Sequence, residues 1–247
     1  MTTEAGRRIA VFSDIHGNLH ALQAVLDAID AMGVRTMVCL GDVVGYGAFP
    51  NECCETIRFR RIPTIAGNHD HAALDKTDIK YFNDIAKAAV QWTRTRLSRE
   101  NTRWLAALPL SDAQDDCLFV HSTPHNPELW GYILTFGDAR QCFAEFKQRF
   151  CFVGHSHQPA IIVEQGEELV CPDSNRVEVL DGCRYLINVG SVGQPRDHNP
   201  DACFITLDHE AGLIEFHRTP YDVAAAQQAI RNNSLPLELA ERLAYGW

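Results

Sequence analysis

No apolar run in this sequence approaches the roughly 20 residues that a membrane-spanning helix needs. Residues 1–8 are short and polar and lack the apolar centre of a signal peptide. Basic charge is scarce: 22 Lys and Arg stand against 32 Asp and Glu, a net charge of -10. Non-specific binding of nucleic acid draws on an excess of Lys and Arg, so that class is set aside. A small anionic substrate is not, because bound metal reverses the sign of charge locally. There is no Cys-X-X-Cys, and nine cysteines, Cys53-Cys54 among them, cannot all pair within one chain. They read as reduced, buried thiols of a cytoplasmic protein. Internal repeats, low-complexity tracts and linker-like stretches are also missing, so residues 1–247 read as one domain. With 46% hydrophobic and 22% charged residues, the chain is long enough to bury a sizeable core.

What is present is an alternation of strand and helix patterns. Arg7 to Ser13 reads as a strand apolar on both faces. Asn18 caps the next helix, whose Leu19, Leu22, Leu26 and Ile29 share a face, with Gly33 as its stop. Val34 to Leu40 reads as a strand, Pro50 to Arg60 as a helix and Ile62 to Ala66 as a third strand. That order signals a largely parallel sheet with crossover helices. Helices are expected over 83–97 and 101–108, a strand over 117–120, and an amphipathic helix from Gly137 to Phe150. Short β-rich runs follow at 160–163, 168–171, 176–180, 184–187, 203–207 and 214–218, and suggest a second sheet packed on the first. Two helices, 221–231 and 236–244, close the chain.

The chemistry gathers at strand ends. Asp14 and His16 follow the first strand, Asp42 the second, Asn68 the third, His121 the strand ending at Val120, and His155 and His157 follow Phe152-Val153-Gly154. In extended backbone, residues i and i+2 point the same way about 6.6 Å apart, so each pair could face one cavity. In open α/β sheets, ligands collect at carboxyl ends of strands. Any one of these histidines alone reads as a loop residue. Together they predict five strand ends delivering Asp, His and Asn to one edge of a sheet, around the stretch Gly67-Asn68-His69-Asp70.

These blocks, Asp14-Ile15-His16, Gly41-Asp42, Gly67-Asn68-His69-Asp70, His121 and Gly154-His155-Ser156-His157, resemble those of the calcineurin-like metallophosphoesterase superfamily. Gly41 to Gly47 and Asn188 to Asp197 resemble a bacterial and archaeal branch of small phosphodiesterases, some described as dinucleoside polyphosphate hydrolases. The resemblance implies an α/β fold, a four-layer αββα sandwich. It implies one metal on Asp14, His16, Asp42 and His157, and another on Asp42, Asn68, His121 and His155, with Asp42 bridging. It also implies that His69 protonates the leaving group. Two carboxylates against two divalent ions and a bridging hydroxide leave about one net positive charge, which favours a phosphate. Imidazole and oxygen donors suit Mn, Fe, Zn, Co or Ni better than Mg. No cysteine belongs to the set, which speaks against a structural zinc site.

Beyond that set several readings stay open. His69 is a general acid with Asp70 holding its tautomer, or it caps the following helix. Tyr46, between Gly45 and Gly47, stacks on a base, bonds a phosphate oxygen or packs its loop. Asn83 contacts substrate or caps a helix. Arg196 clamps a phosphate or pairs with Asp197 or Asp201. Ser191 and Gln194 are similar candidates for substrate binding. Gly45 and Tyr46 stand where the superfamily's protein phosphatases carry Asp and Arg. A small phosphodiester or nucleotide phosphoanhydride is therefore the expected substrate, with no membrane partner. The alternatives are a phosphomonoesterase or protein phosphatase, a metal sensor, or a non-catalytic metal-binding interaction module.

Overall fold

Ile9-Ala10-Val11-Phe12 carries no polar side chain, and the computed structural model, which describes residues 8–247, buries both of its faces. Arg7, expected to open this strand, lies outside the described residues. The order is β1 (Arg8–Phe12), α1 (Leu19–Ala31), β2 (Thr36–Cys39), α2 (Pro50–Phe59), α3 (Asn68–Ala73), α4 (Asp84–Arg96), α5 (Arg99–Ala106), β3 (Ser111–Gln114) and β4 (Cys117–Val120). Next come α6 (Phe136–Glu145), β5 (Phe150–Val153), β6 (Ala160–Gln165), β7 (Glu168–Val170), β8 (Arg176–Glu178), β9 (Arg184–Asn188), β10 (Ala202–Asp208), β11 (Leu213–Thr219), α7 (Val223–Asn232) and α8 (Leu237–Glu241).

Two mixed sheets face each other. One runs β2-β1-β10-β11-β8, the other β3-β4-β5-β9-β6-β7. Only β1 with β2, β4 with β5, and β5 with β9 pair in parallel; the other neighbours are antiparallel. Alternation along β1 assigns the layers. Ile9 and Val11 meet Phe119, Phe150, Phe152, Tyr185 and Ile187 of the opposite sheet, while Ala10 and Phe12 pack with Leu22, Leu26 and Ile57 of the covering helices. On the far side, Val120, Cys151 and Val153 pack with Ala139 and Phe143 of α6. The order helix, sheet, sheet, helix is the expected four-layer sandwich.

Three expectations change. The β-rich second half does not form a separate sheet. β8, β10 and β11 return to the first sheet, because β1 has an open edge that β10 fills in register from Arg8 opposite Asp208 to Val11 opposite Ile205. The third strand shrinks to one bridge between Cys39 and Thr64, since Pro63 accepts from Cys39 N but has no N–H to give. The helix expected to Phe150 stops at Glu145. Phe146 is extended, and Phe150 belongs to β5, stacked on Tyr185 at 5.4 Å. The helical spacing of Phe143, Phe146 and Phe150 is shared by two elements: Phe143 and Phe146 pack on the outer face of the second sheet, Phe150 between the sheets. The polar edge strand β3 gave no sequence signal.

Asn18 does cap α1, accepting from Ala21 N at 3.2 Å. Eight of the nine cysteines are buried, Cys171 is exposed, and all are free thiols. Among the described residues no helix is long and apolar enough to cross a membrane.

Phe152 is fully buried between the sheets and stacks on Phe119 at 5.4 Å. Phe152→Ala is expected to remove about 3–5 kcal/mol of stability, read as a lower urea midpoint with unchanged slope.

Candidate functional site

β1 ends at Phe12, and the chain turns so sharply that Asp14 and His16 both take left-handed backbone, φ 56° and 50°. Asp42 (49°), Tyr46 (44°), His155 (66°) and His157 (61°) do the same. The pairs 14/16 and 155/157 are therefore not extended; each converges through a tight turn. Such conformations cost on the order of 1–3 kcal/mol each, and tertiary bonds must hold them. Those bonds link the loops: His16 N to Asp42 O at 2.8 Å, Gly17 N to Val43 O at 2.9 Å, Gly193 N to Asp14 O at 2.8 Å and Gly154 N to His121 O at 2.9 Å.

The site also straddles both sheets rather than one edge. Asp14 and Asp42 leave β1 and β2, whereas His121 and His155-Ser156-His157 leave β4 and β5. All seven expected ligands are buried. His16 and His157 approach Nε2 to Nε2 at 3.0 Å. Asp14 Oδ1 lies 3.2 Å from His157 Nε2, 3.6 Å from His16 Nε2 and 4.0 Å from His121 Nε2. Asp42 Oδ2 lies 3.4 Å from His121 Nε2 and 3.6 Å from His16 Nε2. Asn68 Oδ1 is 3.2 Å from His121 Nε2. Donor atoms of Asp14, His16 and His157, of Asp14, Asp42 and His121, and of His16, Asp42 and His69 fall within 4.8 Å of one another. Asp14 as well as Asp42 is shared between groups.

Backbone carbonyls orient the rings. His121 Nδ1 donates to Leu40 O at 2.8 Å, His157 Nδ1 to Gln194 O at 2.6 Å and His16 Nδ1 to Val44 O at 3.3 Å. Since a carbonyl only accepts, each Nδ1 carries its proton there and each Nε2 is turned inward. His155 is reversed: Nε2 donates to Trp130 O at 3.0 Å, leaving Nδ1. Burial, with the charge of His121, holds His155 down at about 3. Burial and Arg196 hold His157 at about 4, so both rings are neutral at pH 7. His121 shows the opposite: burial lowers it, but Asp42 and Asp14 win and push it up to about 9. Burial raises Asp14, yet the neighbouring histidines bring it well below the carboxylate range. The two buried carboxylates draw positive charge into the site.

Asp14 Oδ1 is buried with no hydrogen-bond donor of its own. A carboxylate oxygen facing three imidazole nitrogens at 3.2–4.0 Å fits a divalent cation better than any protein donor present. The donor set, imidazole and oxygen, is that of a dinuclear metal centre.

Other candidates move. His69 sits inside the cluster, its backbone N–H donating to Asp42 Oδ1 at 2.8 Å, its ring Nδ1 buried without a partner. Asp70 does not touch that ring. Its carboxylate accepts from Gly67 N at 3.0 Å and Val44 N at 3.1 Å, as the N-terminal bond of α3 demands, so it holds two loops rather than a tautomer. Tyr46 lies inside the cluster. Its buried ring already packs on His69 at 4.4 Å and His16 at 4.6 Å, with the Arg196 guanidinium 5.8 Å from it. Asn83 caps α4 through Ala86 N at 2.8 Å. Ser191 is fully buried and donates to Asp14 O at 2.9 Å, so it positions Asp14. Arg196 pairs with neither Asp197 nor Asp201; it reaches Gln194 Oε1 at 2.9 Å, while Asp197 is taken by Arg218.

Two glycines are dictated by close approach. A Cβ on Gly67 would overlap Asp42 Oδ1, and one on Gly45 (φ 106°) would stand 2.6 Å from His69 Nδ1. An aspartate at position 45 is thereby excluded by the His69 ring. Trp130, Tyr132 and Arg242 were not signalled. Trp130 orients His155, and Tyr132 stacks on it at 4.1 Å. Both lie in an irregular segment with no periodicity to read; only the spacing Trp-Gly-Tyr marks it.

Comparison with known proteins agrees with this geometry. Residues 8–212 match the model of the calcineurin-like phosphoesterase superfamily domain. An uncharacterized protein of Methanocaldococcus jannaschii is 40% identical over 242 residues, 96% of this chain and 98% of that one. The crystal structure of a metallophosphoesterase from Sphaerobacter thermophilus superposes with a TM-score of 0.85 at 38% identity, over 98% of this chain and 99% of that one. A hypothetical protein of Pyrococcus horikoshii shares the fold, with a TM-score of 0.79 at 22% identity over 97% and 98% of the two chains. With its buried Asp and His cluster at the junction of two sheets, the chain belongs to the calcineurin-like phosphoesterase superfamily.

Proposed function

We propose that the protein, acting as one domain, is a dinuclear-metal hydrolase of small-molecule phosphoesters, with a phosphodiester or nucleotide phosphoanhydride as its substrate. The observation that carries the reading is Asp14 Oδ1, buried, without a donor, and facing three imidazole nitrogens. Asp14, His16, Asp42 and His157 would hold one ion; Asp42, Asn68, His121 and His155 the other. Divalent cations there, Mn, Fe, Zn, Co or Ni rather than Mg, would supply Lewis-acid polarisation of a phosphoryl oxygen and a lowered water pKa.

The chain's own residues do the rest. Gln194, Leu40, Val44 and Trp130 carbonyls fix the ring tautomers. His155 N on Asp14 Oδ2 and His69 N on Asp42 Oδ1 leave one oxygen of each carboxylate for the site. His69, with Nδ1 unpartnered beside the cluster, delivers a proton to the departing oxygen. Tyr46 and Phe82, the latter 5.1 Å from that ring, hold it in place. Substrate choice follows from Gly45 and Tyr46: the paired arginine contact that grips a phosphomonoester dianion is missing from this loop.

Asp42→Asn is expected to lower metal content at both positions and abolish turnover, read by elemental analysis alongside hydrolysis of bis-p-nitrophenyl phosphate; two metals per chain at near-normal rate would refute the ligand map. His69→Asn is expected to keep its metals and lose about 10²–10⁴ in kcat for basic leaving groups, with a smaller loss for p-nitrophenolate. Equal losses across a leaving-group series would remove His69 from the acid role. With manganese-loaded protein, kcat/KM is expected to be higher for bis-p-nitrophenyl phosphate and diadenosine tetraphosphate than for a phosphoserine peptide. A preference for the peptide would overturn the substrate class.

A further inference from the structure

Arg196 and Arg242 converge on a single neutral atom. Arg196 donates to Gln194 Oε1 at 2.9 Å and Arg242 donates to the same oxygen at 3.1 Å. Neither forms an ion pair with a carboxylate among the described residues, and the nearby Asp197 is engaged by Arg218. The Nε of each arginine is buried without a hydrogen-bond partner. Two guanidinium groups sharing one amide oxygen repel each other, and no carboxylate among the described residues pairs with either, although the protein as a whole carries a net charge of -10. Burial and the presence of Arg196 both lower the pKa of Arg242.

The pair is held in place from both sides. Arg196 N bonds His157 O at 3.3 Å, and His198 N bonds Gly246 O at 2.7 Å, tying the loop after Gln194 to the C-terminal turn that carries Arg242. It also stands at the candidate site. Arg196 lies 3.5 Å from the Tyr46 hydroxyl, and its charge is felt at His157, His69 and Tyr132. The same Gln194 whose side chain gathers the arginines orients His157 through its backbone carbonyl. Arginine keeps its charge at any working pH and presents donors in a planar fork that matches phosphoryl oxygens.

We propose that Arg196 and Arg242, gathered by Gln194, form a subsite for a second phosphoryl group, so that the preferred substrate carries at least two phosphoryl groups. This rests on the phosphoester-hydrolase reading above. One group would be cleaved among the Asp and His residues while the other is held by the arginine pair across Tyr46. Arg242 had no role on sequence grounds; it lies near the far end of the chain from every other residue of the site.

The test compares tripolyphosphate with orthophosphate as inhibitors of bis-p-nitrophenyl phosphate hydrolysis by manganese-loaded protein at fixed free manganese. Tripolyphosphate is expected to inhibit at a concentration at least about tenfold lower, the value of one charge-assisted hydrogen bond or more. In R242Q the ratio should fall by about tenfold or more, and in R242K, which keeps the charge and loses the fork, it should lie between. A ratio near one in the unaltered protein overturns the proposal. So does an unchanged ratio in an R242Q protein with a near-normal melting temperature. If R242Q does not fold, a wild-type ratio in R242K overturns it equally. Should the protein hydrolyse nothing, the same ratio is read by calorimetric binding. Loss of the hydrolase reading would then be seen apart from loss of the arginine subsite.

Discussion

Two carboxylates buried in one cleft, Asp14 and Asp42, set the terms for everything around them. Among the described residues neither is ion-paired to an arginine or lysine; their close polar neighbours are histidines. Removing such charges from water is expensive unless hydrogen bonds and counter-charge replace the solvent. Each carboxylate receives one backbone N–H, from His155 and from His69. The remaining oxygens are left to the imidazoles, and the two carboxylates outweigh burial in raising His121. A site so constituted is built around a cation.

Holding two like charges together demands a stiff frame. The two sheets supply it by ending their inner strands at a common junction, so that loops after β1 and β2 meet loops after β4 and β5. Left-handed backbone at six site residues concentrates the donor atoms in a small volume. Bonds between loops, with Ser191 and Asp70 buried beneath them, hold that backbone against its local preference. Ser191 and Asp70 thus brace the loops that carry the Asp and His cluster. Arg196 and, from the end of the chain, Arg242 bring positive charge to the same region through Gln194.

The element order was legible because β1, β2 and β5 are apolar on both faces and α1 carries a clean cap and stripe. It failed where one pattern served two elements, as with Phe143, Phe146 and Phe150, or where a single Pro63 removed the donor a strand needs. It failed also for β3, whose Ser-Asp-Ala-Gln is exposed edge and has no burial to betray it. Tyr46 and Ser191 drew notice through flanking glycines and motif position, but neither signal distinguishes a residue that meets substrate from one that supports a ligand.

The sequence by itself determined which donors exist and that most of them follow a strand: Asp14, His16, Asp42, His121, His155 and His157 are placed by local hydrophobic pattern, while Asn68 follows only the single bridge at Thr64. Only the tertiary structure decided which nitrogen of each ring faces inward, since a tautomer depends on a carbonyl contributed from elsewhere, Leu40 for His121 and Trp130 for His155. It alone decided that the cluster lies between two sheets, because β10 pairs with β1, Arg8 opposite Asp208 and Val11 opposite Ile205, and no local rule reaches that far along the chain. The partnership of Arg196 with Arg242 is of the same kind: two charges meet at Gln194 because the closing helices fold back, not because anything near either arginine in the chain requires it.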